Sequence, residues 1–463
     1  MKAWEIARDL YENALPVVLE EEDQTWAVLK EVSNFYDKLL SIDWESNVPG
    51  SGAPEKIMVA AVQALENRGY KVKESERLLK EGMEAHKEED YVKLHKITAE
   101  LKHNFLNAEK NEESPYWKYK NYKSFQEYKK EVNFPEKIDV DVYDEKFREK
   151  IRAAWLSQLI GAAMGTQVEG YTSENLFKAF GEVRDYIREP NTYNDDITFE
   201  LALLEAFEKY GYNIKSRDIA LEWVGYVPSG WSAEEVALRN IKSGIMPPES
   251  GSYTNPFNEW IGAQMRGAIC GMLAPGDPKL AAELAWKDGE VSHISNGILG
   301  EVLNAVMTSL AFVEEDEKKI VETAVNIIPK DSEYYSVVKF ALDKCKESDS
   351  WQEALEACEE RYKKYNWIHA YPNACAEIIA LWFGEGDYEE TLYIITMSGI
   401  DVDCNAAQIM PIIGIQKGIE TIPERLIHPA FDKLITYMRD YDELTLDELI
   451  EKTVRSIKKA KEK

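Results

Sequence analysis

The sequence predicts an all-helical protein: a large helical bundle preceded by a smaller helical domain. Two observations lead to this prediction. In the first 110 residues, apolar side chains recur at steps of three and four, which places them on one face of a helix. From about residue 147, small and large apolar residues are interleaved as closely packed helices require, and period-two strand patterns are scarce.

Helical spacing is clearest in two stripes near the amino terminus. They consist of Trp26, Leu29, Val32, Phe35 and Leu39, and of Tyr91, Leu94, Ile97, Leu101 and Phe105. Between them, residues 47–56 (NVPGSGAPEK) form a Gly/Pro-rich segment. This composition predicts a loop in which Pro54 suits the first turn of the following helix.

The length of 463 residues favours two domains, because one hydrophobic core usually stops growing below that size. We predict a helical accessory domain over residues 1–110. Residues 111–146 are rich in Tyr and Lys and are broken by Pro115 and Pro135, so they read as a connector. Residues 147–463 are expected to form the larger bundle.

Composition limits the partners and the location. A net charge of -29 repels phosphate backbones, which argues against nucleic acid or an anionic membrane as the main partner. No apolar segment approaches bilayer length, and Glu5 and Arg8 interrupt the amino terminus too early for a secretory signal. We therefore expect a cytoplasmic protein. The five cysteines lack CxxC spacing and indicate neither a disulfide framework nor a zinc site.

Two aspartate pairs carry the clearest chemical signal. Asp195 and Asp196 stand in YNDDITFE, and Asp401 and Asp403 stand in GIDVDCNAA, each pair just before a helix-forming run. Carboxylates buried together repel one another unless a cation neutralises them, and Mg²⁺ or Mn²⁺ needs several oxygen ligands. The two pairs together could hold two ions.

The aspartates allow two other interpretations. Either pair taken alone could simply cap a surface helix. The DVDCN string also resembles the start of an EF-hand loop, but Ala406 stands where the sharp turn requires Gly, and Ile412 stands where a bidentate Glu is needed.

Five motifs in register resemble the ADP-ribosylglycohydrolase family. They are GAAMGTQVEG (161–170), YNDDITFE (193–200), GAQMRGAICGM (262–272), SHISNG (292–297) and SGIDVDCNAAQIMPIIG (398–414). The resemblance covers about residues 147 to 425. It implies an all-helical bundle with a two-magnesium centre that cleaves an ADP-ribosyl glycosidic bond.

The resemblance also implies the metal ligands. The family's Thr-Asp-Asp falls on Asn194, Asp195 and Asp196. Its Asp-x-Asp-Thr or Ser falls on Asp401, Asp403 and Cys404. Both hydroxyl ligands are thus replaced, and because a thiol is a poor partner for a hard ion, Mn²⁺ becomes an alternative to Mg²⁺.

By the same resemblance, Glu169 and Asp196 are the predicted catalytic residues, with Glu169 near the scissile bond. Four further side chains are predicted to contact an ADP-ribosylated substrate or an ADP-ribose-like small molecule. These are His293, Tyr253, Asn255 and His369.

The sequence leaves three rival functions open. Helical prenyl-diphosphate enzymes also bind magnesium through aspartates, but the second motif here does not match theirs. Loss of the hydroxyl ligands also fits a non-catalytic protein that binds ADP-ribose or a nucleotide. A hydrolase of a related ribosyl glycoside is a further alternative, because the sequence leaves the leaving group open.

Overall fold

A computed structural model describes residues 1–441 and 443–462. Within these residues the chain forms α-helices joined by turns and short 3-10 segments, together with two small antiparallel strand pairs. The predicted all-helical fold class is confirmed.

The amino-terminal region has five helices, of which the last four surround a small core and the first is exposed. Its elements are α1 (Ala3–Asn13), α2 (Thr25–Trp44), β1 (Ser46–Asn47), β2 (Pro54–Glu55), α3 (Ile57–Asn67), α4 (Lys73–Lys87) and α5 (Tyr91–Asn107). Trp44 lies at the centre of this core, where its indole N–H donates to Thr98 Oγ1 at 2.9 Å. Gly82 on α4 leaves the space that the Trp44 ring occupies.

The two predicted stripes both lie on helices, but they differ in burial. On α5 the stripe packs into the small core, with Leu94, Ile97 and Leu101 buried. On α2 the stripe is largely exposed, and Trp26 is 74% accessible. Helical spacing therefore predicted both helices, although only one of the two faces has a partner within the described chain.

Helix α3 belongs to two cores at once. One face carries Met58, Val62 and Leu65 into the small amino-terminal core. Its other face, with Ile57 and Ala61, packs into the core of the large bundle. Residues 1–110 are thus joined to the rest of the chain by shared apolar packing.

The segment predicted as a connector is a packed part of the bundle surface. It contains the short helix α6 (Phe125–Tyr128), and Tyr122, Phe125 and Tyr128 are buried in the large core. The Tyr128 hydroxyl donates to the Ile327 carbonyl at 3.0 Å, and that of Tyr122 donates to Asp331 at 2.6 Å. Aromatic side chains hold this irregular stretch in place.

The large bundle contains the remaining helices and one strand pair. They are α7 (Glu145–Gly165), α8 (Ser173–Phe180), α9 (Asp195–Tyr210), α10 (Ser216–Tyr226), α11 (Ser232–Lys242), α12 (Glu249–Ser252), α13 (Gly267–Leu273), α14 (Pro278–Gly289), α15 (Ser295–Ala311), α16 (Glu317–Asn326), α17 (Glu333–Glu347), α18 (Trp351–Tyr362), α19 (Ala370–Gly384), α20 (Tyr388–Met397), α21 (Val402–Lys417), β3 (Lys433–Ile435), β4 (Glu443–Thr445) and α22 (Leu446–Lys461).

Helices α7 and α21 form the closest helix pair in the bundle. Gly161 faces the backbone of Ala406, and Gly165 faces the backbone of Asp403, so a Cβ at either glycine would collide with the opposite helix. This contact brings the start of α21 against the end of α7. The second aspartate motif therefore lies beside the segment that carries Glu169.

In the part of the chain that the structure describes, no helix has the length and apolar character needed to cross a membrane.

Buried carboxyl groups in the core make stability depend on pH. Burial raises the pKa of Glu377 on α19 from 4.5 to about 8, while hydrogen bonds, including one from Asn304 at 3.1 Å, lower it. The folded chain thus holds this proton more tightly than the unfolded chain does. Between about pH 4.5 and 8, rising pH therefore destabilises the folded state.

We expect the thermal midpoint of Glu377→Gln to fall less than that of the wild type across this pH range, because glutamine has no proton to lose. Circular dichroism melting at a series of pH values measures the difference. Glu112→Gln, at an exposed position, is the control and should follow the wild-type curve. A Glu377→Gln curve parallel to the wild type would contradict this account.

Candidate active site

The first aspartate pair lies at the start of α9. Asn194 is the N-cap residue, and its Oδ1 accepts a hydrogen bond from the Ile197 backbone N–H at 3.2 Å. Asp195 and Asp196 occupy the first turn, where the helix dipole favours negative charge. Asp196 is fully buried, whereas Asp195 lines a cleft. The cap holds both carboxylates at a fixed position.

The second pair lies at the start of α21, beside the segment that follows α7. The Ile400 N–H donates to the Tyr171 carbonyl at 2.9 Å, and the Gly170 N–H donates to the Ile400 carbonyl at 2.8 Å. These bonds place Glu169 next to Asp401 and Asp403, whose negative charges act on its carboxyl group. Residues far apart in sequence thus form one acidic cluster.

Several oxygens of this cluster are buried and have no hydrogen-bond partner among the described residues. They are both carboxylate oxygens of Asp196, Oδ1 of Asp401 and Oδ1 of Asp403. Donor atoms of Asp401, Asp403 and Cys404 lie within 4.8 Å of one another. Buried polar atoms are almost always paired, so oxygens left in this state fit the ligand set of a hard divalent cation.

The electrostatics of the cluster also favour a cation. Burial, followed by the negative charge of Asp403, raises the pKa of Asp196 and of Glu169 well above the usual range. The same two causes raise the pKa of Asp401, and they raise that of Asp195 to about 6. A bound cation would reverse these shifts, because it stabilises the ionised carboxylates.

Cys404 faces the cluster. It is buried, its Sγ lies 3.8 Å from Met265 Sδ, and it stands within 4.8 Å of carboxylate oxygens of Asp401 and Asp403. Burial raises the pKa of the thiol, and the neighbouring carboxylates, Asp196 foremost, raise it further. Without a cation the group is a neutral thiol.

The cluster opens into a cleft of about 520 Å³, a volume suited to a small-molecule ligand. In addition to the 166–169 stretch and the second motif, Tyr437 and five segments of the chain line it: residues 48–55, 188–195, 228–234, 261–265 and 367–368. Among the described lining residues Arg188 is the single basic side chain. The acids are Glu55, Glu169, Asp195, Glu234, Asp401 and Asp403.

The four side chains predicted to contact substrate lie outside this lining. Tyr253 is 47% exposed and follows α12. Asn255 is buried, where its amide donates to the carbonyls of Ala233 and Ser292. His369 caps α19 by accepting from the Tyr371 N–H at 3.2 Å, and burial lowers its pKa to about 3. These partners give Asn255 and His369 structural positions behind the cleft.

His293, the fourth, lies in a buried layer behind the cleft wall. Its Nε2 accepts from the Ala263 N–H at 3.3 Å, so Nδ1 carries the proton toward Ser292 Oγ, 2.7 Å away. Burial lowers the pKa of His293 well below its usual value, and the imidazole is neutral. It supports the 261–265 segment from behind.

Glu234 is a cleft residue that the sequence did not single out. Its Oε1 accepts from Arg266 at 2.8 Å, and Gly262 leaves room for its carboxylate. Burial raises the pKa of Glu234 to about 7, whereas Arg266 lowers it. The sequence SAEEVALRN is typical of an exposed helix start, so it does not single out Glu234. Only the buried Arg in GAQMRGAICGM hinted at an acidic partner.

Comparisons with known proteins identify the family and the fold of the chain. The sequence profile described as ADP-ribosylglycohydrolase matches residues 144–459. This chain belongs to the ADP-ribosylglycohydrolase family. An uncharacterized protein of Archaeoglobus fulgidus is 24% identical over 303 residues, which are 62% of this chain and 92% of that protein. The name of that relative gives no activity.

A solved structure described as an ADP-ribosylglycohydrolase-related protein complex has the same fold. It aligns with a TM-score of 0.50 and 18% identity, and it covers 68% of this chain and 99% of the other. At this identity the likeness shows the fold alone. The predicted family is therefore confirmed by the profile, and the predicted fold by the structural match.

We expect Asp196→Asn and Asp403→Asn each to weaken Mg²⁺ and Mn²⁺ binding by at least about a hundredfold, because losing an outer partner of a metal ligand already costs ten- to a hundredfold. Calorimetric titration measures this loss, and circular dichroism should show unchanged helicity. Asp349→Asn, at an exposed position, is the matched control. Wild-type metal affinity in either cleft variant would contradict the proposed ligand set.

Cys404→Thr tests the contribution of the thiol. A sulfur ligand favours softer ions, so we expect the wild type to prefer Mn²⁺ over Mg²⁺ more strongly than the variant does. Parallel titrations of both proteins with both ions give the two affinity ratios. If the ratios are equal, the thiol does not take part in binding.

Proposed function

We propose that this chain is a metal-dependent hydrolase that cleaves the glycosidic bond of an ADP-ribosylated protein, nucleotide or small molecule and releases ADP-ribose. The observation that carries the proposal is the set of unpartnered, buried carboxylate oxygens of Asp196, Asp401 and Asp403. Of these residues, Asp401 and Asp403 line a ligand-sized cleft. Family membership supports a glycohydrolase reaction.

The residues that would hold one or two Mg²⁺ ions, or Mn²⁺, are Asp195, Asp196, Asp401 and Asp403, with Cys404 beside them. When bound, such ions supply positive charge that orients ribose hydroxyls and balances an anionic diphosphate. Asn194 is less suited to be a ligand, because its side-chain oxygen already caps α9. The cleft itself offers little other positive charge, since Arg188 stands among six acids.

Glu169 is the carboxyl group best placed to handle the proton. Cleavage of a ribosyl bond passes through an oxocarbenium-like state and requires a proton to reach the leaving group and a water to be deprotonated. Glu169 lies in the cleft lining, and burial beside Asp403 raises the pKa of its carboxyl group, which favours proton uptake there. Asp196 is fully buried and would act by fixing the charge of the site.

Glu234 would orient the substrate from a different segment of the cleft. Its carboxylate is held by Arg266, which is fully buried and also pairs with Asp288 and Ser292. A carboxylate fixed in this way can accept hydrogen bonds from ribose hydroxyls without moving. Glu169 and Glu234 thus have separate tasks, proton handling and orientation.

Glu169→Gln keeps the shape of the side chain but cannot take up a proton. We expect turnover to fall by about a hundredfold to ten-thousandfold while the affinity for ADP-ribose changes little. The assay incubates a panel of ADP-ribosyl and ribosyl glycosides with Mg²⁺ or Mn²⁺ and quantifies the released sugar by chromatography. Glu182→Gln, on the exposed loop after α8, is the control.

Two outcomes of this assay would contradict the proposal. If Glu169→Gln loses ADP-ribose affinity but turns over bound substrate normally, Glu169 holds the ribose and another group moves the proton. If the wild-type protein binds ADP-ribose by calorimetry yet cleaves none of the glycosides, the chain is a non-catalytic binding protein.

A further inference from the structure

The amino-terminal region contributes a short hairpin to the cleft. Strands β1 and β2 pair antiparallel, and residues 48–53 form the turn between them. The Val48 N–H donates to the Ala53 carbonyl, and the Gly52 N–H donates to the Val48 carbonyl, both at 2.8 Å. We call residues 46–55 the cleft hairpin. Val48, Ala53 and Glu55 are buried, so the hairpin is a packed element.

The cleft hairpin is fastened to three separate segments around the cleft. The Tyr171 hydroxyl donates to the Ser51 carbonyl at 3.3 Å. Arg188 donates to the Gly50 carbonyl at 3.0 Å, and the Trp231 indole N–H donates to Glu55 at 3.1 Å. An element held from three directions stays in place when a ligand enters.

Its turn lies directly against Glu169. A Cβ built on Gly50 would be 2.9 Å from Glu169 Oε1 and would also collide with the Thr166 backbone. The hairpin backbone therefore approaches Glu169 so closely that even a methyl group does not fit between them. Any leaving group near Glu169 has Val48, Pro49 and Gly50 as its neighbours.

We propose that the cleft hairpin forms the leaving-group wall and restricts the substrate to small glycosides, excluding ADP-ribose attached to the surface of a folded protein. This inference rests on the proposed function, because it takes the scissile bond to lie beside Glu169. A folded protein would bring its own backbone to the place that the hairpin occupies. A free amino acid or nucleotide as leaving group needs no such space.

The test compares one linkage in two settings. The full-length protein is incubated with Mg²⁺ or Mn²⁺ and with ADP-ribosyl-arginine or ADP-ribosyl-serine, each as the free amino acid and within a folded protein. We expect kcat/KM to be about a hundredfold higher for the free form, the size of loss that a misplaced substrate produces. Equal values for both forms overturn the hairpin proposal and leave the proposed function intact.

If the wild type cleaves no glycoside of the panel, whether free or attached to a protein, the proposed function is wrong. The proposed substrate restriction is then wrong as well. If it cleaves only other small glycosides, the restriction is supported. The two failures are therefore distinguishable.

A shortened hairpin should relax the restriction. Replacing residues 49–52 by Asn-Gly keeps Val48 and Ala53 paired, because Asn-Gly forms the favoured two-residue hairpin turn. We expect the ratio between free and protein-borne substrates to fall at least tenfold. Gly225→Ala, a substitution in open space on α10, is the control and should leave the ratio unchanged. An unchanged ratio in a folded shortened variant overturns the proposal.

Hydrogen exchange on the unaltered chain decides the matter if the shortened variant does not fold. ADP-ribose and Mg²⁺ together with the free leaving group of a glycoside that the wild type cleaves should slow amide exchange in residues 46–55 more than ADP-ribose and Mg²⁺ alone. If adding the leaving group leaves exchange in residues 46–55 unchanged, the hairpin does not border the leaving group, and the proposal is then wrong.

Discussion

Repulsion between carboxylates in a confined space is the constraint on which this structure depends. Glu169, Asp195, Asp196, Asp401 and Asp403 come from three distant segments and meet in a largely buried cluster. Two helix starts supply only partial positive charge. The remaining repulsion is relieved by proton uptake, which the raised pKa values favour, or by a bound cation. The close contact of α7 with α21 keeps the carboxyl groups together.

Much of this arrangement could be predicted from the sequence, because its signals are local. The spacing of apolar residues indicates helices wherever it occurs, and both aspartate pairs stand at helix starts as expected. That the pairs converge is a long-range fact. The sequence indicated this convergence only through the resemblance of five motifs to one family. No local pattern predicts that the Ile400 N–H bonds to the Tyr171 carbonyl.

What the sequence did not predict depends on contacts between distant segments. The segment NVPGSGAPEK has the composition of a loop, and nothing in it indicates a partner near Glu169. Similarly, Glu234 looks like a surface residue until Arg266 is seen behind it. The apolar stripe of α2 indicated burial, but burial depends on what packs against a helix, and spacing alone does not reveal that.

Helix α3 affects how the protein unfolds. Met58 and Val62 pack in the small core, and Ile57 and Ala61 pack in the large core. Because all four lie on one helix, unfolding of either core would disturb the apolar packing of the other. Cooperative melting follows from such shared packing. Removing the amino-terminal region would therefore uncover the bundle surface against which Ile57 and Ala61 pack. It would also remove residues 48–55 from the lining of the cleft.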